Sequence, residues 1–164
     1  MREPLLQVRD LAKHYTSHGS KLTILQNISF DIGKGEVVGL VGESGSGKTT
    51  IGRSLLRLIE PSAGSVRFDG KELTELSASQ LRRARPRMQY IFQDPFASLS
   101  PRMTIGEILT EGLKIQGIGT SKERLDRART ALEQVDLPAD AIHRYAHEFS
   151  GGQRQRIGIA RALT

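Results

Sequence analysis

Apolar and polar residues alternate from Leu5 to Leu11. Leu6 and Val8 fall on one face and Gln7 and Arg9 on the other, the period-two pattern of a half-buried strand. The alternation returns over Leu25-Gln26-Asn27-Ile28-Ser29-Phe30-Asp31-Ile32 and is closed by Gly33 and Gly35. Between the two, Tyr15 stands at the start of a polar loop containing His18-Gly19-Ser20. A continuous apolar run follows, Val37-Val38-Gly39-Leu40-Val41, which predicts a buried strand. Beyond a glycine-rich turn, Ile51, Leu55, Leu56, Leu58 and Ile59 line one side of a helical pattern that Pro61 stops. Ser65-Val66-Arg67-Phe68 predicts a short strand, and Asp69-Gly70 a turn. The short, turn-rich early strands predict an antiparallel layer beside the sheet that carries residues 37–41.

In the second half the period changes to that of helices. Ser77, with Gln80 three residues on, heads a short helix as a capping box. Met88-Gln89-Tyr90-Ile91-Phe92 predicts one more buried strand, ending at Gln93. Asp94-Pro95-Phe96-Ala97-Ser98-Leu99-Ser100-Pro101 is a loop bracketed by prolines. Thr104 and Glu107 cap a helix carrying Ile105, Ile108, Leu109 and Leu113, which Gly117 and Gly119 break. Ser121 starts another, with Leu125, Ala128, Leu132 and Val135 at helical spacing. Ser150 and Gln153 form a third capping box, opening a last helix through Ile157, Ala160 and Leu163. There is no internal repeat.

Composition narrows the class. The 164 residues suffice for one domain with a sizeable core. With no cysteine, disulfide frameworks and cysteine metal sites are excluded. No apolar run approaches the ~20 residues of a membrane helix, and MREPLLQVRD has no signal-peptide apolar region, so a soluble chain is expected. The net charge of +6 invites nucleic acid. However, Arg82, Arg83, Arg85 and Arg87, and the helical Arg154, Arg156 and Arg161, lack interleaved stacking aromatics, so no nucleic-acid partner is expected. His143 and His147 read as polar surface, not as zinc ligands.

The turn between the apolar run and the first helix carries the chemistry. Gly42-Glu43-Ser44-Gly45-Ser46-Gly47-Lys48-Thr49 reads G-x-x-x-x-G-K-[ST], a phosphate-binding loop in its required strand–turn–helix setting. Its glycines let the backbone turn sharply and approach phosphate oxygens. Exposed N–H groups and the helix N-terminus attract the anion. Lys48 is placed to reach the β- and γ-phosphates, and the Thr49 hydroxyl to coordinate Mg²⁺.

Phe149-Ser150-Gly151-Gly152-Gln153 is a second helix start with exposed N–H groups. Alone it reads as an ordinary cap. Together with the phosphate loop and Phe92-Gln93-Asp94-Pro95, in this order and spacing, it resembles the nucleotide-binding domain of ATP-binding-cassette (ABC) transporters, from about Leu6 to the end. The resemblance implies an α/β fold: an incomplete P-loop NTPase core with an antiparallel β layer and an inserted α-helical subdomain. Residues 1–92 would form the core part with the β layer, 93–149 the Q-loop and helical subdomain, and 150–164 the signature and its helix. By the same resemblance Tyr15 stacks on adenine, though packing at a strand end remains an alternative for it. Gly42 to Thr50, including Glu43, Ser44, Ser46 and Thr50, is the Walker A loop. Gln93 contacts Mg²⁺ and the attacking water. Ser150, Gly151, Gly152 and Gln153 bind the γ-phosphate of ATP held by a second subunit in a head-to-tail dimer, so ATP and Mg²⁺ are the implied cofactors, with Lys48 and Gln93 in the catalytic roles.

The run from Phe92 to Met103, and His147 to Arg156, looks like the dipeptide/oligopeptide (and nickel) importer branch, with Ala146 where that branch commonly has proline. That implies membrane permease subunits touching the Gln93 region, an extracytoplasmic peptide-binding protein, and a place on the cytoplasmic side of the inner membrane. The pattern also departs from the family. Nothing after Gln93 is a four-residue apolar run ending in Asp-Glu, and no histidine follows Gln153. The chain therefore resembles the first two-thirds of the domain, and by itself is expected to hydrolyse ATP poorly. Its last helix is expected to lack a partner for its apolar face. The alternatives are a non-transport ABC ATPase acting on DNA or ribosomes, and a nucleotide-binding module without hydrolysis.

Overall fold

A computed structural model describes residues 3–17, 19–94 and 98–164. They gather into two compact units, Met1–Arg82 and Arg83–Thr164.

The first unit is built on a four-stranded antiparallel sheet. Strands β1 (Leu6–Ser17), β2 (Ser20–Ile32), β3 (Ala63–Phe68) and β4 (Lys71–Glu72) lie in the order β2-β1-β3-β4. Val8, Leu11, Leu25 and Val66 are buried on its inner face. Simple alternation from Val8 would turn Leu11 outward. The register shifts between Val8 and Leu11, and Asp10 takes φ 48°, so one extra residue returns Leu11 to the core. Gly64, at φ 88°, lies against this irregularity: a Cβ there would stand 2.5 Å from the Asp10 carbonyl oxygen. Asp69 and Gly70 both have positive φ and join β3 to β4 with Phe68 opposite Lys71, as a two-residue hairpin requires.

Several expectations change here. β1 runs through Tyr15 to Ser17, and Tyr15 pairs with Leu22, so Tyr15 belongs to a strand and does not begin a loop. Of the expected loop, His18 lies outside the described residues. Residues 37–41 form no strand: Val37 and Val41 are 96% and 91% exposed. Residues 88–92 form none either, with Ile91 47% and Phe92 38% exposed. A continuous apolar run becomes a strand only when a neighbouring strand pairs with it and other elements cover both of its faces. Among the described residues these two segments have no such neighbours. Helix α1 (Lys48–Leu55) is shorter than its apolar pattern. It stops where Arg57 turns left-handed (φ 48°) and its guanidinium donates to the carbonyls of Leu73 (2.6 Å) and Leu76 (2.8 Å). Helix α2 (Ala78–Ala84) has the expected box: Gln80 Oε1 accepts from Ser77 N–H at 2.9 Å.

The second unit is helical. Helices α3 (Ile105–Gln116), α4 (Ser121–Glu133) and α5 (Gly151–Leu163) share one core, in which Ile105, Leu109, Leu132 and Ile157 are fully buried. Contrary to expectation, most of the apolar face of α5 is covered: Ile157 and Ala160 are at 0% exposure, and only Leu163, at its end, stays 55% exposed. The short 3-10 turns Ala139–His143 and Ala146–Glu148 bring Ala141, Ile142 and Ala146 into the same core, which completes it locally. The proline-rich loop after Gln93 is described only in part, because residues 95–97 lie outside the described residues.

Both α3 and α4 begin with complete capping boxes. Thr104 pairs with Glu107, and the second cap is Thr120 with Glu123, one residue earlier than Ser121. Backbone N–H donation from Thr104 and Thr120 holds the Glu107 and Glu123 carboxyls below their ordinary value. A lowered folded-state value means stability that is present above the unfolded value of about 4.5 and lost as pH falls through the folded values. Thermal melts from pH 7 to pH 3 should therefore show the helical unit weakening below the ordinary glutamate range. Glu107→Gln, which keeps a neutral box, should flatten that slope; an unchanged slope would remove the caps as its cause.

Candidate functional site

The phosphate loop is closed by its own lysine. Lys48 Nζ donates to the carbonyl oxygens of Gly42 (2.7 Å) and Glu43 (2.5 Å), and to Ser46 Oγ at 3.3 Å. Ser46 N–H donates to the Glu43 carbonyl at 3.2 Å. The loop is thus wrapped around an ammonium group. Gly47 is the N-cap of α1, left-handed at φ 91°, with no side chain capping the helix and no acid in its first turn. The first N–H groups of α1 have no side-chain cap and follow directly on the loop that holds the Lys48 ammonium, an arrangement that suits a polyphosphate. Thr49 is exposed on that first turn. The donor set fits a nucleoside polyphosphate. Among the described residues no three His, Asp or Glu side chains gather to hold a metal by themselves.

Gly47 is required twice over. Its φ disfavours any side chain, and a Cβ there would lie 2.8 Å from Leu25 Cδ2 and 3.3 Å from the Ile24 carbonyl oxygen. The phosphate loop therefore ends directly against β2. Leu25 pairs across the sheet with Lys13, whose Nζ stands 4.7 Å above the Tyr15 ring. Tyr15 is 45% exposed and two residues along the strand from Lys13, about 7 Å. The sheet thus carries an exposed aromatic ring on the strand next to the one that the loop touches.

The remaining site residues lie in the second unit. Gln93 is exposed and outside any regular element. Ser150 is the N-cap of α5: its Oγ accepts from Gln153 N–H at 3.3 Å, and Gln153 Oε1 accepts from Ser150 N–H at 2.9 Å. Gly151 and Gly152 are exposed, and a Cβ on Gly152 would meet nothing within 4 Å. The cap uses Ser150 only as an acceptor, so its hydroxyl proton remains available to donate. The N3 residue also differs in charge. In α3 and α4 it is glutamate, whereas α5 carries glutamine and no acid in its first turn. A carboxylate there would oppose a bound phosphate.

The sequence did not mark the work of the α5 arginines. Arg154 Nε donates to the Ala146 carbonyl at 2.8 Å, Arg156 to those of Val135 (3.2 Å) and Asp136 (3.0 Å), and Arg161 to that of Ser98 (2.6 Å). Each guanidinium ties the helix to a different earlier segment. A backbone carbonyl carries no residue-type signature, so no pattern in the sequence names these partners.

The ABC transporter family model matches residues 25–164. A Brucella ovis protein named as a peptide import ATP-binding protein is 76% identical over 161 residues, covering 98% of this chain and 51% of its own length. The oligopeptide transport ATP-binding protein OppF of Bacillus subtilis is 50% identical over 165 residues, covering 99% of this chain and 54% of its own. The chain spans about half the length of these relatives. Among solved structures, the ATP-binding cassette MJ0796, described as a dimer in a post-hydrolysis state bound to ADP and Pi, superposes with a TM-score of 0.87 at 30% identity, covering 96% of this chain and 68% of that one. Two helix N-termini suited to phosphate, a glycine-bound lysine and these matches converge: the chain belongs to the ABC transporter family.

Proposed function

We propose that this chain is the ATP-binding part of a subunit that drives peptide import. The observation that carries nucleotide binding is the uncapped N-terminus of α1, with Lys48 folded into the loop that precedes it. The peptide cargo is supported by the names of the relatives from Brucella ovis and Bacillus subtilis.

In this reading the backbone of residues 42–50 cradles the phosphates, and Lys48 exchanges its loop carbonyls for β- and γ-oxygens. Tyr15 stacks on adenine. Thr49 and Gln93 hold Mg²⁺ with the nucleotide, and bound Mg²⁺ spreads the charge of the phosphates. Gln93 also orients the water in line with the γ-phosphate. Ser150, Gly151, Gly152 and Gln153 cover the γ-phosphate of a second ABC ATPase subunit, head to tail. Closure of the pair reaches the integral permease subunits through the Gln93 region, and an extracytoplasmic binding protein delivers the peptide. Among the described residues no helix is long and apolar enough to cross a membrane. The reading places the subunit on the cytoplasmic face of the membrane, bound through those permeases.

The test is reconstitution of the intact subunit with its permeases in vesicles. Mg·ATP binding with ATP-driven peptide uptake is the expected result. Absence of ATP binding overturns the nucleotide reading, and hydrolysis without uptake overturns the import reading.

A further inference from the structure

The helix that starts at Ser150 holds Ser98, five positions after Gln93. Arg161, near the end of α5, donates from Nη1 to the Ser98 carbonyl oxygen at 2.6 Å, across 63 positions of sequence. The guanidinium is half-buried, and burial pulls it down from its ordinary value while Glu111 opposes that shift. Ser98 sits beside Leu99, which is 4% exposed and packed in the core shared by α3, α4 and α5. Thr164 adds a second tie at the same end of α5, its hydroxyl donating to the Leu109 carbonyl at 3.0 Å. Leu109 belongs to α3, whose start at Ile105 closes the segment on its other side. A half-buried cation is costly unless it is paired. Here a charge-assisted bond to a main-chain oxygen compensates it, and that bond ignores the side chain at position 98.

We infer that Arg161 is a positioning residue that locks Ser98 and Leu99 to the signature helix α5, so that this stretch, on the permease side in the reading above, and the start of α5 move as one body. The coupling half of this rests on the importer reading above; the lock itself rests on the geometry alone. Its effect runs through Ser98 and Leu99. A rigid connection is what a shift at one end of α5 needs to be felt at the other end.

The experiment uses the intact subunit with Arg161→Met, which keeps an apolar stem of similar reach, and Arg161→Lys, which keeps the charge without the fork. Amide hydrogen exchange and peptide moved per ATP hydrolysed are both measured. Arg161→Met should speed exchange of the Ser98 and Leu99 amides about tenfold or more, as loss of a charged donor's hydrogen bond implies. Exchange at Ile157 to Ala160 and ATP affinity should stay as in wild type. Peptide moved per ATP should fall severalfold, with Arg161→Lys between the two. The chain has no cysteine, so a Ser98→Cys/Arg161→Cys pair joined by a short bis-maleimide should recover that ratio. Unchanged exchange at Ser98 and Leu99 overturns the lock, whatever the subunit transports. Faster exchange with an unchanged transport ratio, or a cross-link that fails to restore it, overturns the coupling role. Global loss of protection makes Arg161 merely structural and overturns it too. Wild-type subunit that binds no ATP refutes the importer reading and with it the coupling role, while the exchange data still decide the lock.

Discussion

Lys48→Ala should weaken Mg·ATP binding by the intact subunit about ten- to 150-fold. The ammonium is the one full positive charge that the loop encloses, held at 2.7 and 2.5 Å from the Gly42 and Glu43 carbonyls. Hydrogen bonds to charged groups contribute about 1.5–3 kcal/mol each, and every 1.4 kcal/mol is tenfold in affinity. The fold should survive. Lys48 is only partly buried, and its partners are exposed loop oxygens that water replaces. Isothermal titration gives the affinity, and a thermal melt separates it from unfolding. An affinity within about twofold of wild type, well inside one such bond, would sink the assignment of this loop to phosphate.

Ser150→Arg should abolish ATP-dependent pairing of two subunits while each still binds ATP through its own Lys48. Two effects are expected. Losing the Ser150 cap on Gln153 N–H costs about 1 kcal/mol of stability. The larger effect is steric: a long side chain fills the exposed space in front of Gly151 and Gly152, where the second subunit's γ-phosphate is to be covered. Turnover should fall about 100-fold or more, the equivalent of about 2.7 kcal/mol of transition-state stabilisation. Ser150→Ala separates the two effects, since it removes the cap and the donor without adding bulk, and it should lie between wild type and Ser150→Arg. Sedimentation with Mg·ATP reads the pairing, and titration reads the affinity. Normal pairing and turnover in Ser150→Arg would leave α5 with an ordinary cap and no role across an interface.

Elements set by local chemistry were legible. The boxes at Ser77, Thr104 and Ser150 need only a short side chain and its N3 partner, three positions apart, and the structure holds all three. The Asp69-Gly70 hairpin needs two residues that tolerate positive φ, and it has them. The ABC fold was readable from glycine spacing, because the phosphate loop and the signature are written in residue types. Misjudged elements depend on partners far along the chain. Residues 37–41 and 88–92 are apolar enough for buried strands, yet a strand is a relation between segments, and neither finds its neighbours among the described residues. Tyr15 was placed in a loop because the pairing of β1 with β2 continues past the end of the apolar alternation.

By itself the sequence determined the chemistry offered at the two glycine-rich helix starts, since backbone N–H groups, glycines and a lysine carry that chemistry wherever they are folded. Only the tertiary structure decided why Gly47 must also be small, pressed against Leu25 and Ile24. It decided too that Ile157 and Ala160 of α5 are covered, because the turns around Ala141 and Ala146 join the same core. And it decided that the arginines of α5 donate to main-chain carbonyls of earlier segments. Those outcomes depend on which surfaces meet, and a pattern along one element does not encode the approach of segments 8 to 63 residues apart.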